Sequence, residues 1–548
     1  MSHFETSRFF LAAFAAGVSV HLAVFRVGEW DLWAVHILRF FGALYCMALL
    51  GLQYYYVENT FLESFRIASM LSTFFGVGLF GSMLLYRGFF HRLCRFPGPF
   101  LARFSNFYPT YLSCKNIQLC DEVRALHRQY GDIVRLGPTE LSINNVDAVQ
   151  KMHSSQSRCV KGPWYNVLNP FQSLQMVRNK AEHSQRRRVW DRGFSVKALQ
   201  DYESRVVRYT DQLMDQLKKS EGKPIDMATW FNFYSFDVMG DLAWGKSFHM
   251  LRDGIKHYFM LCLHADMMNI GLFSHLLWLF PIFKATPILN RTHKRFRKWV
   301  RDQVAERKRT TPDRPDVFSW ILEDYEKNQT PTFQDELNLE GDASLIAIAG
   351  SDTTAASLTC MFFELAMHPE YASMIQKELE EALTSSAEPD AVALRKLSFL
   401  NAVIDETLRL HPPVPSGVQR MTPPEGMTIA DVYIPGDTIV QIPSYTLSRD
   451  ERYFEQPEEF LPERWTTRPE LVKDERAFVP FSTGRYSCVG KQLGLVEIRQ
   501  VAYEILRRYN VALAPGQTPS AFLKGILDTF TLQLPSLNLV FSPRQKLS

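Results

Sequence analysis

The chain has 548 residues, 46% of them hydrophobic and 13% aromatic, enough to bury one large core or two domains. Its 61 basic and 58 acidic side chains leave a formal charge of +3, which excludes the strong positive field of a nucleic-acid binder. The eight cysteines show neither a CxxC pair nor metal-ligand spacing, so they argue against a disulfide framework or a zinc site and fit a reducing compartment.

Three apolar runs precede residue 90: Phe9–Phe25, Leu32–Tyr56 and Ile67–Tyr86. Each approaches or exceeds the roughly 17–20 residues that a membrane helix needs. The reading is a membrane anchor over 1–90 with three spans, about 9–27, 32–56 and 67–86. Three runs in succession are a poor fit to a cleaved signal peptide. His21 and Arg39 interrupt the first two runs, and a charge in mid-span costs on the order of 2.5–3.5 kcal/mol. The alternative is therefore one span, the third, with two interfacial helices. Arg87, Arg92 and Arg95 follow the third run, and the positive-inside rule puts what comes next on the cytosolic side. "FPGP" (Phe96–Pro99) cannot continue a helix and marks a Pro-containing hinge over 91–114.

From residue 115 to 548 the pattern is mainly helical with small sheets. "CDEVRALHRQYG" predicts a helix ended by glycine, and "IVRLGPTELSI" a hairpin turning at Gly137–Pro138. A long apolar helix is expected from about Leu337 to Met367, stopped before Pro369. Inside it, "AGSDTT" (Ala349–Thr354) predicts a local distortion at Gly350, or otherwise a kink back-bonded by Ser and Thr. In "NAVIDETLRLHPP", Glu406 and Arg409 share a helix face at i, i+3. Arg464 of "FLPERW" supplies a second arginine that could close a buried network and pin a loop. "FSTGRYSCVG" then sets one thiol, Cys488, between Gly484 and Gly490 at the mouth of a helical run.

Taken together, "AGSDTT", "ETLR", "PERW" and "FSTGRYSCVG" resemble the cytochrome P-450 superfamily of haem-thiolate monooxygenases, from about residue 95 to the end. "ExxR" alone is weak, whereas the cysteine motif with "PERW" and "ExxR" upstream is very specific. The style of "KGPWY", "RRRVWDRGFS" and "PFSTGRYSCVGKQLG" is similar to membrane-bound fungal enzymes of secondary metabolism. The resemblance implies a fold holding haem between a long central helix and a cysteine-ligand loop. Cys488 would be the axial iron ligand, its pKa lowered by the helix start. Gly484 and Gly490 would allow the turn, and Phe481 would pack on it. Asp352 and Thr353 match the acid–alcohol pair that organises water and delivers protons. Glu406, Arg409 and Arg464 would be structural.

The departure is at Tyr486, where the family usually has a propionate-binding arginine; here Arg485 precedes it. His183, Arg187 and Arg420 are the substitute propionate partners. Substrate contacts are implied at Trp164–Val177, Phe248–Leu289, Val414–Val418 and Gly525–Thr531. The expectation is an endoplasmic-reticulum enzyme with haem b, fed by an NADPH-cytochrome P-450 reductase, oxidising a lipophilic small molecule (terpenoid, polyketide or alkaloid). Two alternatives stand beside it: a haem-thiolate catalyst of rearrangement or ring expansion without net hydroxylation, and a non-catalytic membrane haem or lipid binder.

Overall fold

A computed structural model describes residues 3–55, 60–383 and 389–544, in two compact units. Tyr56, the last residue of the second expected span, lies outside the described residues.

The first unit comprises residues 1–111, 133–141 and 273–291. Its N-terminal helices are α1 (His3–Val20), α2 (Ala34–Tyr55) and α3 (Phe61–Leu85). Single π-helical turns, His21–Phe25 and Tyr86–Phe90, prolong α1 and α3. Stretches of 19, 25 and 30 residues are thus long and apolar enough to cross a membrane. The third starts earlier than expected because Thr60 and Glu63 form a capping box. Close backbone approach explains the small residues here. A Cβ on Gly17 would lie 2.1 Å from the Phe75 carbonyl oxygen, and one on Gly78 would lie 2.1 Å from that of Phe14. The His21 interruption is paired: Nδ1 lies 2.8 Å from Ser82 Oγ, between α1 and α3. Arg39 is exposed on α2.

The expected hairpin forms as β1 (Ile133–Gly137) and β2 (Glu140–Ile143). The second unit holds residues 112–132, 142–272 and 292–548. The elements that position its site are β3 (Val160–Lys161), α4 (Lys180–Gly193), α5 (Met227–Trp244), α6 (Tyr258–Phe273), α7 (Phe333–Met367), α8 (Ser398–Leu410), β4 (Arg420–Met421), β5 (Ile439–Gln441) and α9 (Lys491–Leu506). A short hairpin, β6 (Leu527–Thr529) and β7 (Thr531–Gln533), follows.

The central helix α7 runs 35 residues and begins a turn before Leu337, where Thr332 and Asp335 form a capping box. Its composition would suit a membrane span, but 72% of its apolar window is buried, against at most 17% in the N-terminal helices. It is a core element. The distortion expected at Gly350 is absent, since the helix is continuous through "AGSDTT". The hydroxyls of Ser351 and Thr353 instead bond back to the carbonyls of Ala347 and Ala349. Gly350 serves packing: a Cβ there would lie 2.6 Å from the Met239 side chain on α5.

Candidate functional site

The cysteine loop is closed by its own backbone. Cys488 N–H donates to the Phe481 carbonyl at 2.9 Å, and Ser487 N–H to that of Gly484 at 3.1 Å. Gly484 sits at φ +68°, and a Cβ there would lie 2.2 Å from the His153 carbonyl oxygen, so position and space both require glycine. Gly490 starts α9, and a Cβ on it would stand 4.0 Å from Cys488 Sγ, in the space beside the thiol. The Lys491 ammonium lies 5.3 Å from the centre of the Phe481 ring. Arg187 reaches from α4 to brace the loop: Nη1 donates to the Ser487 carbonyl at 2.7 Å and Nε to Asp191 at 2.7 Å. Burial pushes the Cys488 thiol up; the Gly490 N–H, Arg187 and Lys491 pull against it. The donors expected at the helix mouth are therefore present, but desolvation outweighs them.

Beside the loop lies a buried cationic cluster. Strand pairing sets Lys161 on β3 directly opposite Arg420 on β4, and like charges so placed repel. Lys161 is 3% exposed and Arg420 is 2% exposed. Neither has a carboxylate partner among the described residues, and Lys161 Nζ donates only to the carbonyls of Gln175 at 2.6 Å and Leu174 at 3.3 Å. Burial first, then Arg420, Arg186 and Arg187, drive the Lys161 pKa well below its usual value. Both cations lean on the Tyr486 ring, at 4.7 and 4.9 Å from its centre. The His183 ring meets Tyr486 edge-on at 4.7 Å, and burial and the surrounding cations hold His183 neutral, with its pKa down to about 3. Tyr486 Oη, His183 Nδ1 and Arg420 Nε are all buried without a hydrogen-bond partner among the described residues. Orphaned polar groups and unmatched positive charge call for an anion. A haem, with two propionates and an iron that takes a thiolate, fits this donor set. Arg485 donates to Ser184 Oγ at 2.6 Å, and its charge also acts on Tyr486 and His183.

The first turn of α9 abuts the acid–alcohol segment of α7: a Cβ on Gly494 would lie 3.5 Å from Thr354 Oγ1. Accessibility in this part of α7 is confined to one side of the helix, Leu345, Ile348, Ala349, Gly350 and Thr353. Cys488 is likewise accessible though the protein surrounds it. Thr353 Oγ1 donates to the Ala349 carbonyl at 2.8 Å, which leaves its lone pairs free to accept. Asp352 is buried and meets His264 on α6.

The four implied substrate regions converge on the β6–β7 hairpin, where a Cβ on Gly271 would lie 2.6 Å from Thr529 Cα. Trp164 stacks on Phe530 with ring centres 4.9 Å apart, and Phe530 holds φ +81° at the β6–β7 turn. In a third, Ser416 donates to Asp528 of the same turn. In the fourth, Phe248 stacks on His257 at 4.5 Å within an aromatic cluster that includes Trp299.

Glu406, Arg409 and Arg464 come together with no exposed side-chain surface. The remaining guanidinium donors bind main-chain carbonyls, those of Ser448, Pro457 and Glu459 from Arg409 and those of Glu455, Gln456 and Leu471 from Arg464. Sequence reading missed Lys161 and His264. The one signal that could have found Lys161 is a charged residue between the apolar Val160 and the turn-forming Gly162–Pro163; nothing local marks His264.

A family model described as Cytochrome P450 matches residues 104–540, beginning past the three apolar helices. Relatives match almost end to end. The chain is 52% identical over 534 residues to Cytochrome P450 monooxygenase FCK2 of Fusarium pseudograminearum, covering 97% of each. It is 42% identical over 538 residues to Cytochrome P450 monooxygenase phqL of Penicillium fellutanum, covering 97% of this chain and 94% of the relative. It is 36% identical over 541 residues to Tryprostatin B 6-hydroxylase of Aspergillus fumigatus, covering 96% and 95%. Motifs, helical fold and kinship converge: this chain belongs to the cytochrome P450 family and is an oxygen-incorporating oxidoreductase of the haem-thiolate type.

Proposed function

We propose that this enzyme hydroxylates or otherwise oxidises a lipophilic small molecule, using dioxygen, haem b and electrons from a separate NADPH-cytochrome P-450 reductase. The observation that carries the reading is the buried cationic cradle around Tyr486, unmatched by carboxylates and set beside a thiol loop. Cys488 would supply the thiolate that ligates the haem iron, with Phe481, Gly484 and Gly490 shaping its loop. Lys161, Arg420 and the Tyr486 hydroxyl would hold the propionates, with His183 as a neutral neighbour, and Arg187 braces the loop. The bound haem supplies the reductive activation of dioxygen. Asp352 would relay protons to this part of α7, and the Thr353 hydroxyl, with lone pairs free, would accept and pass one on. Glu406, Arg409 and Arg464 keep the loops between α8 and α9 in place.

Leu345, Ile348 and Ala349 on the accessible side of α7 and the Trp164–Phe530 stack are apolar, which suits a lipophilic substrate. The substrate is a fungal secondary metabolite of terpenoid, polyketide or alkaloid type. Support comes from the relative named Tryprostatin B 6-hydroxylase. Residues 1–90 anchor the enzyme in the endoplasmic-reticulum membrane, 91–114 act as a hinge, and 115–548 form the catalytic domain, facing the cytosol. The test is co-expression with a reductase and neighbouring pathway enzymes, with mass spectrometry under heavy-isotope dioxygen. A product carrying one labelled oxygen, made only with NADPH, is the expected result. Turnover without NADPH or label would overturn it in favour of a rearrangement.

A further inference from the structure

We infer that His264, on α6, is the positioning residue through which solvent protons reach Asp352. The inference rests on reading Asp352 as the carboxyl that serves proton delivery. Asp352 Oδ1 lies 3.2 Å from His264 Nε2, its one side-chain partner among the described residues. Its Oδ2 is buried and has no hydrogen-bond partner. The two members differ in access: the imidazole side chain is 29% exposed and the carboxyl side chain 5%. Phe236 meets the imidazole edge-on at 6.0 Å, and Gln533 Nε2 donates to the His264 main-chain carbonyl at 3.0 Å.

Two acceptors cannot share that contact. Either Nε2–H donates to the carboxylate, or a protonated carboxyl donates to a bare Nε2. Passing between these forms is a proton transfer. Water protonates Nδ1, the imidazolium gives its Nε2 proton to Oδ1, and a neutral ring with Nδ1–H remains. The net result is one proton moved from solvent onto Asp352, with no redox change. The imidazole thus connects the accessible side of α6 to a carboxyl that water does not otherwise reach.

His264→Gln tests this in the full-length, haem-loaded enzyme with its reductase. Glutamine keeps an N–H donor for Oδ1 but cannot take up and release a proton. Product per NADPH is expected to fall roughly tenfold, short of a direct proton donor's contribution, and hydrogen peroxide should account for the difference. The substrate-induced spectral shift and the reduced carbon-monoxide band should stay as in wild type. Independently of turnover, the melting-temperature changes of His264→Ala, Asp352→Asn and the double variant should be non-additive, as for any contacting pair. Wild-type coupling in His264→Gln, or additive melting shifts, would overturn the proposal. If Asp352→Asn itself stays fully coupled, the reading of Asp352 fails instead. An uncoupled Asp352→Asn beside a coupled His264→Gln sinks His264 alone.

Discussion

Replacing Glu406 with alanine should cost this protein more stability than replacing either arginine that binds it. The carboxylate accepts from Arg409 Nε at 2.9 Å and Nη2 at 2.7 Å, from Arg464 Nε at 3.0 Å, from Trp465 Nε1 at 2.9 Å and from Leu461 N–H at 2.9 Å. None of the three charged side chains has exposed surface. Breaking a buried pair costs about 3–5 kcal/mol, because the remaining charge stays buried and uncompensated. One carboxylate here serves two guanidinium groups, so Glu406→Ala leaves two such charges and belongs at about 5 kcal/mol, the upper end of that range. Arg409→Ala leaves Glu406 still paired with Arg464, and about 3 kcal/mol is expected. Against a total stability of about 5–15 kcal/mol, the first change should leave the chain marginal. Urea unfolding of the detergent-solubilised enzyme, followed by tryptophan fluorescence and the reduced carbon-monoxide band, measures both. A Glu406→Ala loss of about 1 kcal/mol or less, the size of a surface pair, would refute the reasoning. So would a loss no larger than that of Arg409→Ala.

Cys488→Ser should abolish the red-shifted Soret band of the reduced carbon-monoxide complex; a variant that keeps band and activity removes Cys488 as ligand. Thr353→Ala should retain haem and substrate but divert NADPH electrons to hydrogen peroxide, and unchanged coupling would count against its hydroxyl. Arg187→Ala frees the Ser487 carbonyl and should lower retained haem more than Arg485→Ala, which loses only the bond to Ser184; the reverse order in a haem-content assay would show that the loop is held from the other side. Burial raises the Asp528 pKa from 3.8 to about 6. The folded state therefore holds this proton more tightly, and wild-type stability falls as pH rises from about 4 to 6, by roughly 3 kcal/mol in all. Asp528→Asn should flatten that part of the stability–pH curve, and an unaltered slope would show that another group sets it.

What sequence reasoning reached depended on how local the cause was. The Glu406–Arg409 pair is legible from i, i+3 spacing, and the core helix α7 from its long apolar run. The start of α7 was missed because the Thr332–Asp335 capping box, not hydrophobicity, sets it. Gly350 was read as a weak point in the helix, whereas its reason lies on α5, where Met239 needs the space. Lys161 and Arg420 face one another only through strand pairing between segments far apart in sequence. The same holds for His264 and Asp352, which different helices bring together. No window of sequence contains either pair.

The displaced arginine follows from that cluster. An arginine at position 486 would add a further buried cation beside Lys161 and Arg420, where repulsion and burial already drive the lysine pKa well down. Tyrosine offers a hydroxyl donor without charge, and its ring face attracts both neighbouring cations, at 4.7 and 4.9 Å. Its hydroxyl is left without a partner among the described residues, in the place where an anion would accept from it. Arg485, one residue earlier, is turned to Ser184 on α4 and ties the loop to that helix. The buried charge for an anion thus comes from β3 and β4, and the cysteine loop adds a neutral donor, an aromatic face and the nearby charge of Arg485. On this account Tyr486→Arg is no restoration: it places three cations together and should lower protein stability until the anion is bound.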